Sequence, residues 1–300
     1  MLITSENMPG KKILFFSAIF LITYSLKNTA SAQVSYDSEG LRESIYLSVG
    51  TGNATYGPST ISIQQSNASS YDLGNVNADN KAAPSGGGFS THIRAGFFFD
   101  HEQKMAVELN IDPVTYHVTD DQNVNLKGTI EHHSIDTNFA FSSKNGYSYY
   151  LNSSNLILVN FVYRMKLVKT QSNNFRIDLL AKAGFGPVMP HVINTLGGKT
   201  AESPAFQLAG WDAGIEAALR FTIMRHVFLE VAPKYTYASY TDVNVYNGTA
   251  TQKLKATQVV FSLGYWFSIT KHNPLFEKGV KERKAITIKP IHPQPLDEAN

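Results

Sequence analysis

The side chains best suited to chemistry are five histidines and three aspartates at or near the connecting segments. They are His92, His117, His132, His133 and His191, with Asp112, Asp120 and Asp121. Neutral imidazole beside carboxylate is a ligand set for iron, copper or zinc. Strand direction places His92, His117 and His191 at one level, which makes these three the metal candidates. Their parity argues against a shared ion. His92 alone falls on the polar face of its run, while His117 and His191 fall on the apolar face, and His132 and His133 are neighbours in a polar segment. The expectation is no metal and no cofactor. No strand–turn–helix nucleophile elbow occurs, so no Ser/His/acid set can be assigned by spacing. Gly86-Gly87-Gly88 leads into a strand and not a helix, so it is no phosphate loop. With no Cys in 300 residues, disulfides and thiolate metal sites are excluded. No catalytic residue is assigned, and the reading leans away from an enzyme.

A second set of polar residues is more regular. Arg94, Glu108, Asp112, Arg164, Arg176, Asp178, Lys182, Asp212, Glu216, Arg220, Glu230 and Lys234 all stand at alternate positions within apolar runs. Six are basic and six acidic. In a soluble sheet the polar face is the solvated one. Balanced charge at regular spacing suits a closed lumen, where opposite signs pair. Arg94 and Glu108 flank a turn and are the expected first pair.

The elements that must position these charges are strands. Apolar residues recur with period two. The apolar faces are Ile45 to Val49, Phe89 to Phe99, Met105 to Ile111, Ile157 to Leu167, Phe175 to Phe185, Trp211 to Phe221, Val227 to Tyr237 and Val259 to Phe267. Eight strands are expected. Their connections alternate between short (near Asp100–Gln103, Val168–Asn174 and Ile223–His226) and long (about 53–88, 120–154, 193–206 and 240–252). Short turns at one end and long loops at the other is the outer-membrane arrangement. Pro233 cannot donate to a ladder and is read as a bulge. Phe97, Phe99, Phe175, Phe221, Tyr265 and Phe267 gather near the short turns, and Trp211, Phe89 and Tyr237 near the long loops. Two aromatic bands match the two faces of a bilayer.

The termini set the compartment. Lys11-Lys12, an apolar run from Ile13 to about Leu26 and Ala30-Ser31-Ala32 read as a secretory signal peptide over 1–32. Met8 is an alternative start that would give the signal an ordinary length. A lead of 33–42, a barrel of 43–267 and a periplasmic tail of 268–300 follow. The tail is rich in Lys and Pro and is expected to be disordered; a merely solvated tail is the first reading, and contact with a periplasmic or anionic partner is the alternative. The net charge of +2 argues against a nucleic-acid binder. Mean hydropathy is −0.17, as a chain alternating lipid-facing and lumen-facing residues can average.

Several phrases resemble a known group. They are Asn160-Phe161-Val162-Tyr163-Arg164, then Gly184-Phe185-Gly186-Pro187-Val188-Met189-Pro190-His191-Val192, then Glu230-Val231-Ala232-Pro233-Lys234-Tyr235-Thr236-Tyr237, and finally Leu263-Gly264-Tyr265-Trp266-Phe267. They resemble the small bacterial outer-membrane β-barrel proteins of the outer-membrane protein A-like group, and more faintly those related to lipid A oxidases. The resemblance implies export by the general secretory route to the cell outer membrane, with outer-membrane lipids and lipopolysaccharide as neighbours. In its narrower form it implies oxidation of the proximal glucosamine of lipid A, and it carries over no catalytic residue. The whole reading is an all-β, eight-stranded antiparallel transmembrane β-barrel with a disordered C-terminal tail. Eight strands leave an interior just filled by side chains, so no large pore is expected. The expected role is structural or surface interaction, as a monomer, with a lipid A-modifying enzyme as the alternative.

Overall fold

Alternating apolar and polar residues can satisfy a two-sided wall only if the backbone is extended and paired on both edges. A computed structural model describes residues 44–81, 91–100, 102–170, 174–203, 207–224 and 226–268. The expected signal peptide, the lead, the tail beyond Ser268 and Phe89 lie outside the described residues.

Among the described residues the chain forms fifteen strands in one sheet. The first eight are β1 (Ser44–Tyr56), β2 (Ser59–Gln65), β3 (Ser69–Val76), β4 (Ala78–Asp79), β5 (Thr91–Phe98), β6 (Met105–Val118), β7 (Gln122–Ile130) and β8 (His133–Phe141). The rest are β9 (Ser148–Lys169), β10 (Phe175–Met189), β11 (Val192–Leu196), β12 (Lys199–Glu202), β13 (Gly210–Ile223), β14 (Val227–Val245) and β15 (Gly248–Ser268). The path β1-β5-β6-β9-β10-β13-β14-β15 returns on itself, because β15 pairs with β1 from Ser44↔Ser268 to Tyr56↔Ala256. Every pairing on this circuit is antiparallel.

The sheet therefore holds more strands than the eight expected, with seven of them off the closed circuit. Segments read as long loops are largely strand. β2, β3 and β4 occupy the first, β7 and β8 the second, β11 and β12 the third, and the fourth is the hairpin end of β14 and β15. The Gly248–Gln252 end of β15 continues through β2, β3 and β7 to β8 as a protruding wing. Its alternations, such as Ile61 with Ile63 and Leu73 with Tyr71, are short and set among Ser, Asn and Gln. What holds them in register is long-range pairing, which a local pattern does not show.

Pro233 is not a bulge. It sits opposite Val259 in unbroken register, and β13–β14 keeps one register on either side, from Glu216↔Lys234 to Leu219↔Val231. The missing N–H removes ladder bonds without adding a residue. A register shift occurs instead at Ile177/Asp178.

The two faces of the wall are inverted relative to a soluble barrel. Phe185 (60%), Ile215 (62%) and Phe261 (56%) stand exposed on the outside with Leu47, Val49, Ile93, Leu109, Val159, Leu229 and Leu263. Inside, an apolar layer closes each end. Tyr46, Phe98, Phe228 and Trp266 fill the short-turn end, their rings 5.2 to 5.9 Å apart. Gly96 and Gly264 make room, since a Cβ there would strike the ring of Tyr46 or Phe228. At the other end Ile61, Leu73, Val114, Leu126, Leu151 and Val243 belong to a larger apolar core beneath the wing. Outside, Phe185, Trp211 and Tyr237 form a continuous row at 5.6 Å between successive rings.

Candidate functional site

Between the two apolar layers lies the charge belt. Arg94 reaches across the lumen from β5 to Glu216 on β13, with Nη1 donating to Oε1 at 2.6 Å and Nη2 to Oε2 at 2.9 Å. Its Nη1 also donates to Glu230 on β14 at 2.8 Å. Lys182 Nζ on β10 contacts Glu108, Glu216 and Glu230 at 2.8 to 3.1 Å. Arg220 Nε donates to Glu230 at 2.7 Å. Tyr46 donates its hydroxyl to Glu108 at 2.5 Å, and Asn160 donates to the same carboxylate at 3.4 Å. All six ionised groups are buried. Three cations meet three carboxylates here, the condition under which buried charge is tolerated.

The expected Arg94–Glu108 pair does not form. Asn110 stands across from Arg94, and Gly96 across from Glu108. In so narrow a barrel a guanidinium reaches the far wall, and Arg94 takes its bidentate partner there.

Towards the wing, Asp112 accepts from His92 Nδ1 at 2.7 Å and pairs with Lys234. Asp212 is also buried, and neither carboxylate oxygen has a hydrogen-bond partner among the described residues. Towards the short turns, Arg176 Nε donates to Asp178 at 2.7 Å, and Arg164 donates to Gln103 at 3.1 Å. Three guanidiniums lie over the Trp266 ring: Arg164 at 5.3 Å, Arg176 at 5.4 Å and Arg220 at 5.2 Å. Of the twelve charges picked by parity, eleven are buried and Arg176 is partly so.

The three candidate metal ligands are held apart, each by its own carboxylate. His92 bonds Asp112 inside the lumen. His117 Nδ1 lies 3.1 Å from Asp79 and its ring stacks on Tyr150 at 4.3 Å. His191 Nε2 lies 2.9 Å from Glu202. Glu131 and His132 form the turn of the β7–β8 hairpin, and His133 opens β8. Among the described residues no three His, Cys, Asp or Glu side chains gather as a ligand set.

Asp120 and Asp121 instead tie down a single 3-10 turn, Ser143–Asn145. Asp120 accepts from the Ser143 N–H at 2.6 Å and from its hydroxyl at 2.7 Å. These bonds hold its carboxyl below the ordinary 3.8. A depressed carboxylate stabilises above the unfolded value, and that contribution disappears as pH falls through the folded one. The Ser143 amide resonance should therefore titrate with a midpoint below 3.8. A midpoint at or above that value would show that the bonds do not persist in solution.

No family model matches the chain. No curated protein matches it either. The solved structures it resembles are small barrels of the bacterial outer membrane. The attachment invasion locus protein Ail of Yersinia pestis shares 11% identity at a TM-score of 0.33, over 75% of this chain and 99% of that one. The outer membrane protein OprG of Pseudomonas aeruginosa shares 12% at 0.37, over 75% and 96%. Neisserial surface protein A shares 15% at 0.33, over 74% and 97%. Likeness at this level adds no argument of its own, and the chemistry of the wall has to carry the reading. Nothing among these comparisons supports the lipid A oxidase-like part of the resemblance.

Sequence reasoning missed the aromatic floor of the belt. Tyr46, Phe98, Phe228 and Trp266 each stand between two outward apolar residues, as Phe98 does between Phe97 and Phe99. Their parity was that of the polar face, and that parity was the available signal.

Proposed function

We propose that this protein is an outer-membrane β-barrel with a sealed lumen, acting in a structural or surface-interaction role through its protruding wing. Eight strands, the closed circuit β1-β5-β6-β9-β10-β13-β14-β15, form the membrane-spanning wall. The observation that carries this is the inverted wall, apolar outside and ionised inside. Water would not tolerate that exterior on a monomer, since exposed apolar area of this extent marks contact with lipid or protein. The charged interior argues against a pore, because its central groups Arg94, Lys182, Arg220, Glu108, Glu216 and Glu230 pair with one another and an apolar layer closes each end. Surrounding lipid includes a phosphorylated outer leaflet such as lipopolysaccharide. Lys255 supports this, for it faces outward beside Tyr237 of the aromatic row, with Lys253 one step above.

Closed barrels with every backbone group paired resist detergent. The folded protein should migrate differently on SDS gels before and after boiling, and vesicles containing it should not leak small ions. Phe261→Arg should cost about 2–4 kcal/mol of stability in those vesicles, as expected for a cation in the middle of the lipid-facing wall. A water-soluble monomer with unchanged gel mobility would overturn the membrane reading, and a steady ion conductance would overturn the sealed lumen.

A further inference from the structure

Among the described residues the sheet has one long free edge. The path of the wing ends at β8, which pairs with β7 and with no other strand among the described residues. Glu131 and His132, with φ of +48° and +71°, make a two-residue turn between Ile130 and His133. Such a turn puts Ile130 and His133 in a hydrogen-bonded pair. Antiparallel ladders alternate, so Ile135, Thr137 and Phe139 also bond to β7, and Ser134, Asp136, Asn138 and Ala140 point their N–H and C=O groups the other way. Asn145 Nδ2 donates to the Ala140 carbonyl at 3.3 Å, which agrees with this parity and covers that end. Among the described residues the remaining edge, from Ser134 to Asn138, is shielded only by the Thr137 hydroxyl, 3.5 Å from the Asn138 carbonyl.

Natural sheets blunt such edges with Pro, Lys, bulges or short length. β8 has neither Pro nor Lys, no register shift and nine residues, whereas β4 and β12, which also have one partner strand among the described residues, have two and four, and β12 begins with Lys199. The side chains of β8 also differ by face. Ile135 and Phe139 are half-buried against the apolar core, and Ser134, Asp136 and Asn138 are exposed on the other side.

We infer that the Ser134–Asn138 edge of β8 docks an extended peptide segment of a partner protein, one with apolar residues at alternate positions. Backbone bonds to Ser134, Asp136 and Asn138 give the affinity. Apolar side chains of the added strand complete the burial of Ile135 and Phe139 and set the register. A second copy of this chain fits less well. Two copies upright in one membrane, related by an axis along its normal, would run their β8 strands in parallel with opposite pleats, so no regular ladder forms between them. The inference rests on the surface-interaction reading above and names its site.

The test uses the full chain in lipid nanodiscs. The probe is a synthetic peptide of alternating valine and threonine with lysine at both ends, compared with the same peptide N-methylated at every valine and threonine, which leaves neither edge able to donate. Hydrogen exchange is followed residue by residue. The unmodified peptide should slow exchange of the Ser134, Asp136 and Asn138 amides by about tenfold or more, as paired edge amides are slowed, and the N-methylated one should not. Asp136→Pro should abolish that protection with the gel shift intact, because the lost N–H is not one that β7 uses. The N-methylated peptide keeps the test decisive if the proline variant fails to fold. No protection, or equal protection by both peptides, overturns the inference. Protection of the same amides without peptide, rising with protein concentration, assigns the edge to a second copy and also overturns it. Loss of the gel shift in the unaltered protein would count against the membrane reading instead.

Discussion

Glu230→Ala is expected to cost about 3–5 kcal/mol of folding stability, the range for breaking a buried ion pair from one side. Glu230 is 1% exposed and receives Arg94, Lys182 and Arg220 at 2.8, 2.8 and 2.7 Å. Without it, three cations share Glu108 and Glu216, and one positive charge is left uncompensated inside an apolar-capped lumen. The loss should be read from urea unfolding in lipid vesicles. Glu102→Ala is the contrast, since Glu102 pairs with Lys104 in an exposed turn and its removal should change nothing measurable. A double variant, Glu230→Ala with Arg220→Met, should lose less than the two single losses combined, because it removes one cation with its carboxylate. Strictly additive losses, or a Glu230 effect no larger than that of Glu102, would show that these charges do not act as one network.

How far this belt could be read in advance depends on what a strand reveals locally. Parity is local. Most of the twelve charges follow from standing between outward apolar neighbours, as Glu216 does between Ile215 and Ala217. Partner choice is not local. Arg94 bonds residues on strands that lie across the barrel, and the sequence separation to Glu230 is 136 residues. No spacing rule connects positions that only the curvature and closure of the sheet bring together. The same distinction separates the wall from the wing. Wall strands carry long alternations and bury one face completely, so their extent and order are legible. Strands such as β3 and β7 carry two or three apolar residues among Ser, Asn and Gly, and they read as loop. Their pairing is supplied by the neighbouring strand, as Leu73↔Leu126 shows. The histidines illustrate a third limit. Strand direction placed His92, His117 and His191 near one level, but whether they meet depends on which carboxylate each finds first, and each finds its own.

The aromatic layer beneath the belt gives the second large effect. Trp266→Ala should cost about 3–5 kcal/mol, as deletion of a buried Trp usually does. Trp266 is 5% exposed, packs on Tyr46, Phe98 and Phe228, and lies under the guanidiniums of Arg164, Arg176 and Arg220. Its removal takes away apolar contact area and the ring face that three cations share, so the loss has a transfer part and a cation–π part. Trp266→Phe keeps a smaller ring at the same place and should recover most of the stability. The two variants also test how the lumen is closed. If the aromatic layer, the charge belt and the apolar core beneath the wing each close it independently, Trp266→Ala will unfold earlier yet still pass no ions in a planar bilayer. A persistent conductance in Trp266→Ala, absent in Trp266→Phe, would mean that the aromatic layer alone holds the barrel shut and that the belt above it is wet. Glu230→Ala in the same bilayer then separates the layers from the other side. With the aromatic floor intact it should lose stability without opening, because Trp266 and Phe98 still fill the short-turn end when the belt has lost its central carboxylate.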